Sequence, residues 1–121
     1  MELVASLKEL KQIEDPQAET PVEVTLPMAE DEWYTRPDDV SYGVVSLDFE
    51  ADALRGDNIK QVTAYEGSVD LYSMARSGAG WVELICRTLA EHCDGAWSLN
   101  LHTYERDTGL FHWEWAFQIE G

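Results

Sequence analysis

Apolar residues recur along the chain with two different periods, and the switches between them lay out the elements. Leu3, Leu7, Leu10 and Ile13 fall at helical spacing with Glu and Lys between them, which predicts a short amphipathic helix over 2–13. Residues 14–20 are polar, contain Pro16 and are followed by Pro21, the composition of a connector. Val22, Val24 and Leu26 then alternate with Glu23 and Thr25 until Pro27, a pattern that predicts a short strand at a sheet edge. Residues 28–39 read as an acidic loop. Over 40–50, Val45, Leu47 and Phe49 oppose Ser46, Asp48 and Glu50, as in a half-buried strand. Beyond the turn ALRGDN, two short strands are expected at 59–66 and 68–75, joined near Glu66-Gly67.

The strongest helical signal follows Gly78-Ala79-Gly80. Trp81, Leu84, Ile85, Thr88, Leu89 and His92 share one face of a helix over 81–93, and Asp94-Gly95 is expected to end it in the left-handed region. Trp97, Leu99, Leu101 and Thr103 then alternate with polar residues. After ERDTG, so do Phe111, Trp113, Trp115, Phe117 and Ile119. That is a hairpin with one heavy apolar face. A turn centred on Asp107 sets Trp113 opposite Leu101, Trp115 opposite Leu99 and Phe117 opposite Trp97, large against large. The fold expected is a single α+β domain over 1–121. Its antiparallel sheet of about five to six strands is covered mainly by the 81–93 helix, with a short N-terminal helix at the side.

Composition narrows the function. The 121 residues hold 24 acids and 8 bases, a net charge of −16, yet 45% are hydrophobic. Such a chain folds, and its charge disfavours direct contact with nucleic acid or an anionic membrane, which Lys and Arg drive. No apolar run approaches the ~20 residues that cross a bilayer, and no basic segment followed by an apolar one opens the chain. Cys86 and Cys93 lie seven apart on one predicted helix, roughly 10 Å along its axis and beyond the ~7 Å limit of a disulfide. Two free thiols suit a reducing compartment, so a cytoplasmic protein is expected.

Catalytic motifs are scarce. The hairpin register above sets His102 opposite His112 on the outer face, with Glu114 and Asn100 beside them. That is a set able to bind a metal or transfer protons, and equally an ordinary polar sheet face. Ser77-Gly78-Ala79-Gly80 precedes a helix, where amides can hold an anion, but without the remaining glycine or lysine of a phosphate loop it reads as a tight helix start. Asp48, Glu50 and Asp52 have oxygens suited to Ca²⁺ or Mg²⁺ but no glycine-bearing cation loop around them. No enzyme activity, cofactor or metal is expected from these features.

The charge is concentrated. From Glu14 to Asp52 there are 12 acids and one base, Arg36, enough to steer a basic surface toward this stretch. Within it, Glu30, Asp31, Glu32, Asp38 and Asp39 surround Trp33 and Tyr34, aromatic anchors of the kind that dominate protein interfaces. Carboxylates two residues apart on a strand lie about 6.6 Å apart, close to every second phosphate of a nucleic-acid strand. The expected partner is therefore the basic surface of a nuclease or nucleic-acid-binding complex. The contacting residues would be Glu30, Asp31, Glu32, Trp33, Tyr34, Asp38, Asp39, Asp48, Glu50 and Asp52. In size, acidity and lack of a catalytic motif the chain resembles phage and mobile-element proteins that block restriction or CRISPR nucleases. The resemblance is one of type and implies an anti-CRISPR or anti-restriction role as a nucleic-acid mimic. An immunity protein or antitoxin against a nuclease toxin fits the same physics, and a halophilic domain is a further alternative.

Overall fold

The computed structural model describes residues 2–13, 17, 19–20, 22–31, 40–50 and 64–120, with the backbone alone at 48–50, 64 and 120. The fold is α+β. Helix α1 spans Glu2–Lys8. Strands β1 (Lys11–Ile13) and β2 (Glu23–Thr25) form an antiparallel pair. Strands β3 (Met28–Glu30), β4 (Ser41–Glu50), β5 (Ala64–Ser73), β6 (Trp97–Glu105) and β7 (Leu110–Glu120) form a second sheet in the order β3-β4-β5-β7-β6. A one-turn 3₁₀ helix, Gly78–Gly80, leads into helix α2, Trp81–Cys93.

The sheet is mixed rather than purely antiparallel. Met28, Ala29 and Glu30, expected in a loop, form an edge strand parallel to β4, anchored by the Gly43 amide donating to Pro27 O at 2.8 Å. The N-terminal helix is also shorter than its apolar spacing predicts. Leu3 and Leu7 are fully buried, but the chain turns at Glu9 and runs on as β1, where the Leu26 amide donates to Leu10 O at 3.0 Å. A helix of two turns has little stability of its own, so cross-strand pairing outweighs a third turn.

Instead of two strands meeting at Glu66-Gly67, β5 passes straight through that dipeptide. Gly67 is a site of close approach, not a turn: a Cβ there would lie 2.4 Å from Ser46 O and 2.6 Å from Phe117 Cζ. Of the strand expected at 59–66, residues 59–63 lie outside the described residues and 64–66 belong to β5.

Both helices pack on one face of the sheet. The core joins Leu3, Leu7, Leu26, Val45, Val69 and Leu71 with Trp81, Ile85, Leu89, Trp113, Trp115 and Phe117. Fully burying a side chain such as Ile85 or Leu89 contributes about 1.5–3 kcal/mol. Helix α2 follows its predicted bounds and ends at Asp94 (φ 45°) and Gly95 (φ 85°), both left-handed. No described helix is long and apolar enough to cross a membrane.

Candidate functional site

The opposite, outer face of the large sheet carries the polar residues. In the central strands alternate positions turn from the core to this side: Tyr42, Val44 and Ser46 on β4, Glu66, Ser68, Asp70 and Tyr72 on β5, His112, Glu114, Ala116 and Gln118 on β7. On β6 the alternation is interrupted. Trp97 pairs with Phe117 and Leu99 with Trp115, as the sequence predicts, but Leu101 then pairs with Glu114 and Thr103 with His112. Asn100 is the extra residue of a bulge, which advances the rest of β6 by one position. The hairpin then closes with Glu105 opposite Leu110.

This one residue rewrites the histidine site. His102 does not face His112; it lies on the helix-bearing side, stacked on Trp113 with ring centroids 4.6 Å apart. In its place the bulge brings Glu105 to the outer face. His112 Nδ1 lies 3.0 Å from Glu105 Oε2 and Nε2 lies 2.7 Å from Asp70 Oδ1, so each ring nitrogen faces a carboxylate acceptor and both donate when the ring is protonated. Burial pulls the His112 pKa down, but the bonds and charges of Asp70 and Glu105 outweigh it and hold it above its ordinary value. Only 9% of the His112 side chain is exposed, against 17% for Asp70 and 34% for Glu105.

Glu114 completes the group. It sits directly across from Asp70, and like charges in that position repel. One ligand atom each from Asp70, His112 and Glu114 lies within 4.8 Å of the others. A row of rings extends the site across three strands: Tyr42 stacks on Tyr72 at 5.1 Å and Tyr72 on His112 at 4.3 Å. Burial, with Asp70 and Glu105 next, pushes the Tyr72 hydroxyl up to about 12. The sequence flagged His112 and Glu114, but Asp70 and Glu105 reach them only through sheet pairing. The signal available was an acid flanked by apolar residues in Val69-Asp70-Leu71.

Of the predicted interface residues, Glu30 ends β3 and pairs with Lys8 at 3.4 Å. Asp31 follows it with φ 69°, its amide donating to Val45 O. Glu32, Trp33, Tyr34, Asp38, Asp39 and Asp52 lie outside the described residues. Asp48 and Glu50 belong to β4, but the register with β5 shifts between Leu47 and Glu50, so their backbone positions are not two steps of one unbroken ladder.

The glycine-rich turn is a tight helix start: Ser77 Oγ accepts from the Ala79 amide at 3.3 Å, and the Gln12 side-chain amide donates to Ala79 O at 2.8 Å. His92 Nε2 is 3.2 Å from Ser6 Oγ, linking α2 to α1. No family model, curated protein or solved structure matches this chain.

Proposed function

We propose that the protein is a non-enzymatic acidic inhibitor that occupies the basic nucleic-acid-binding surface of a partner protein. The observation that carries this reading is the outer sheet face. Its described positions present Glu66, Asp70, Glu105 and Glu114 and not one Lys or Arg, on a chain of net charge −16. Among the described residues no helix packs over this face. A rigid sheet holds its carboxylates at fixed separations, about 4.8 Å between strands and 6.6 Å along one, a spacing on the scale of nucleic-acid phosphates. The field brings a basic cleft to the protein, and the acidic segment bearing Trp33 and Tyr34 supplies the anchors. The mechanism is competitive occlusion. The thiols Cys86 and Cys93, both free, fit action in a reducing cytoplasm.

Affinity capture from nuclease-treated lysate of the cells that carry the protein tests the reading. One nucleic-acid-binding protein or complex is expected to be retained at low salt and released by competing DNA or RNA. The double variant Asp38→Lys, Asp39→Lys is expected to retain less of it, with a shallower dependence on salt. A retained partner that nucleic acid does not displace, or no partner at all, overturns mimicry.

A further inference from the structure

We infer that Asp70, His112 and Glu114 form a binding site for a divalent transition-metal ion, with Glu105 positioning the imidazole. The inference shares Asp70, Glu105 and Glu114 with the acidic face proposed above as a partner surface, but it is argued from the distances among these groups and does not need that partner. It begins from the charge balance. Three carboxylates from three strands meet around one almost fully buried imidazole. Even with that ring protonated, two negative charges remain in excess in a half-buried setting, where neutralisation matters more than at an open surface. Glu114 has neither a hydrogen bond nor an ion pair with any described side chain, although it faces Asp70 across the strands.

The donor atoms are gathered in one place, with His112 Nε2 and Asp70 Oδ1 at a hydrogen-bond distance of 2.7 Å and the set with Glu114 within 4.8 Å. Glu105 accepts from Nδ1, which fixes the ring and directs Nε2 at Asp70; this is the carboxylate–histidine arrangement that supports metal-bound imidazoles. Two ligand atoms on a tetrahedral ion, each about 2.1 Å from it, are about 3.4 Å apart. To share an ion, the Asp70 carboxylate would draw back from Nε2, 2.7 Å away, and the Glu114 carboxylate would adjust within a set whose atoms lie within 4.8 Å of one another. The ion takes the position of the Nε2 proton. One imidazole nitrogen and two carboxylate oxygens form a borderline set that suits Zn²⁺ or Mn²⁺, whereas Ca²⁺ and Mg²⁺ prefer oxygen alone. Solvent would complete the coordination, and the ion would tie β5 to β7 directly and to β6 through Glu105.

Calorimetric titration of tag-free, chelator-treated full-length protein with Zn²⁺ alone, in millimolar Mg²⁺, tests the site. One saturable equivalent is expected. Glu105→Gln is expected to weaken binding by about 10- to 100-fold and Glu114→Gln by more, while Glu66→Gln, on the same face but outside the ligand set, leaves it unchanged. Because Glu114 holds no described partner, Glu114→Gln should fold as the wild type does by circular dichroism; if it does not, Asp70→Asn takes its place. Absence of a saturable equivalent overturns the site. So does equal weakening by Glu66→Gln and Glu114→Gln, the mark of a diffuse acidic surface.

Discussion

The His112 imidazole faces Asp70 and Tyr72 from β5, Glu105 from β6 and Glu114 on its own strand, so its charge state links three strands. Its pKa is raised on folding from an ordinary value of 6.5. A group raised in this way stabilises the fold fully below its unfolded value, and that stabilisation is lost as pH climbs through the higher folded value. Metal-free protein is therefore expected to lose urea resistance as pH rises above about 6.5, and His112→Gln should flatten that part of the profile. Unfolding midpoints measured from pH 5 to 9 on both proteins decide it; parallel profiles would show that the ring's protonation does not contribute. Sequence reading found this histidine and Glu114 because both stand on the strand with the clearest alternation. Asp70 and Glu105 escaped it because their proximity depends on register across three strands, which no local pattern encodes.

Among the elements, α2 and β7 were legible because each carries a long, uninterrupted period, Trp81, Ile85 and Leu89 on one and Trp113, Trp115 and Phe117 on the other, whereas the hairpin register was legible only as far as Leu99, because the extra residue at Asn100 shifts the rest of β6. Strand β5 was not, because Glu66-Gly67 carries the composition of a turn while its real constraint is steric. Gly67→Ala sets a methyl group against Ser46 O, part of the backbone of β4, and against the Phe117 ring. Neither yields easily, and overpacking of this kind costs about 1–3 kcal/mol. Urea denaturation should show a loss of that size for Gly67→Ala. A change below a few tenths of a kcal/mol would mean that β4 and β5 separate more readily than their pairing implies. The parallel edge strand β3 escaped notice because three residues, Met28–Glu30, are too few to show a period, and the early end of α1 because Leu10 and Ile13 fit a helix as well as they fit β1.

At the scale of the molecule, the charge of −16 works against the compact state through self-repulsion, which salt screens over about 10 Å at 0.1 M. Thermal unfolding is expected to move to higher temperature as NaCl is raised from about 10 to 200 mM, the same range over which a charge-steered complex loses affinity. Stability that falls across that range would point instead to the ion pairs of Lys8 with Glu30 and Lys11 with Glu23 as the dominant electrostatic contribution.

The bulge at Asn100 has a consequence for solubility. β6 forms one rim of the sheet, and its exposed Leu99, Leu101 and Tyr104 are side chains that favour sheet-to-sheet growth if the rim is straight. An extra residue in the middle of the strand twists the rim and puts its free amides and carbonyls out of step with an incoming strand. A neighbour could pair with the segment before Asn100 or the segment after it, but not with both in one regular register. The residue that delivers Glu105 to His112 thus also guards a sticky border against fibrillar stacking.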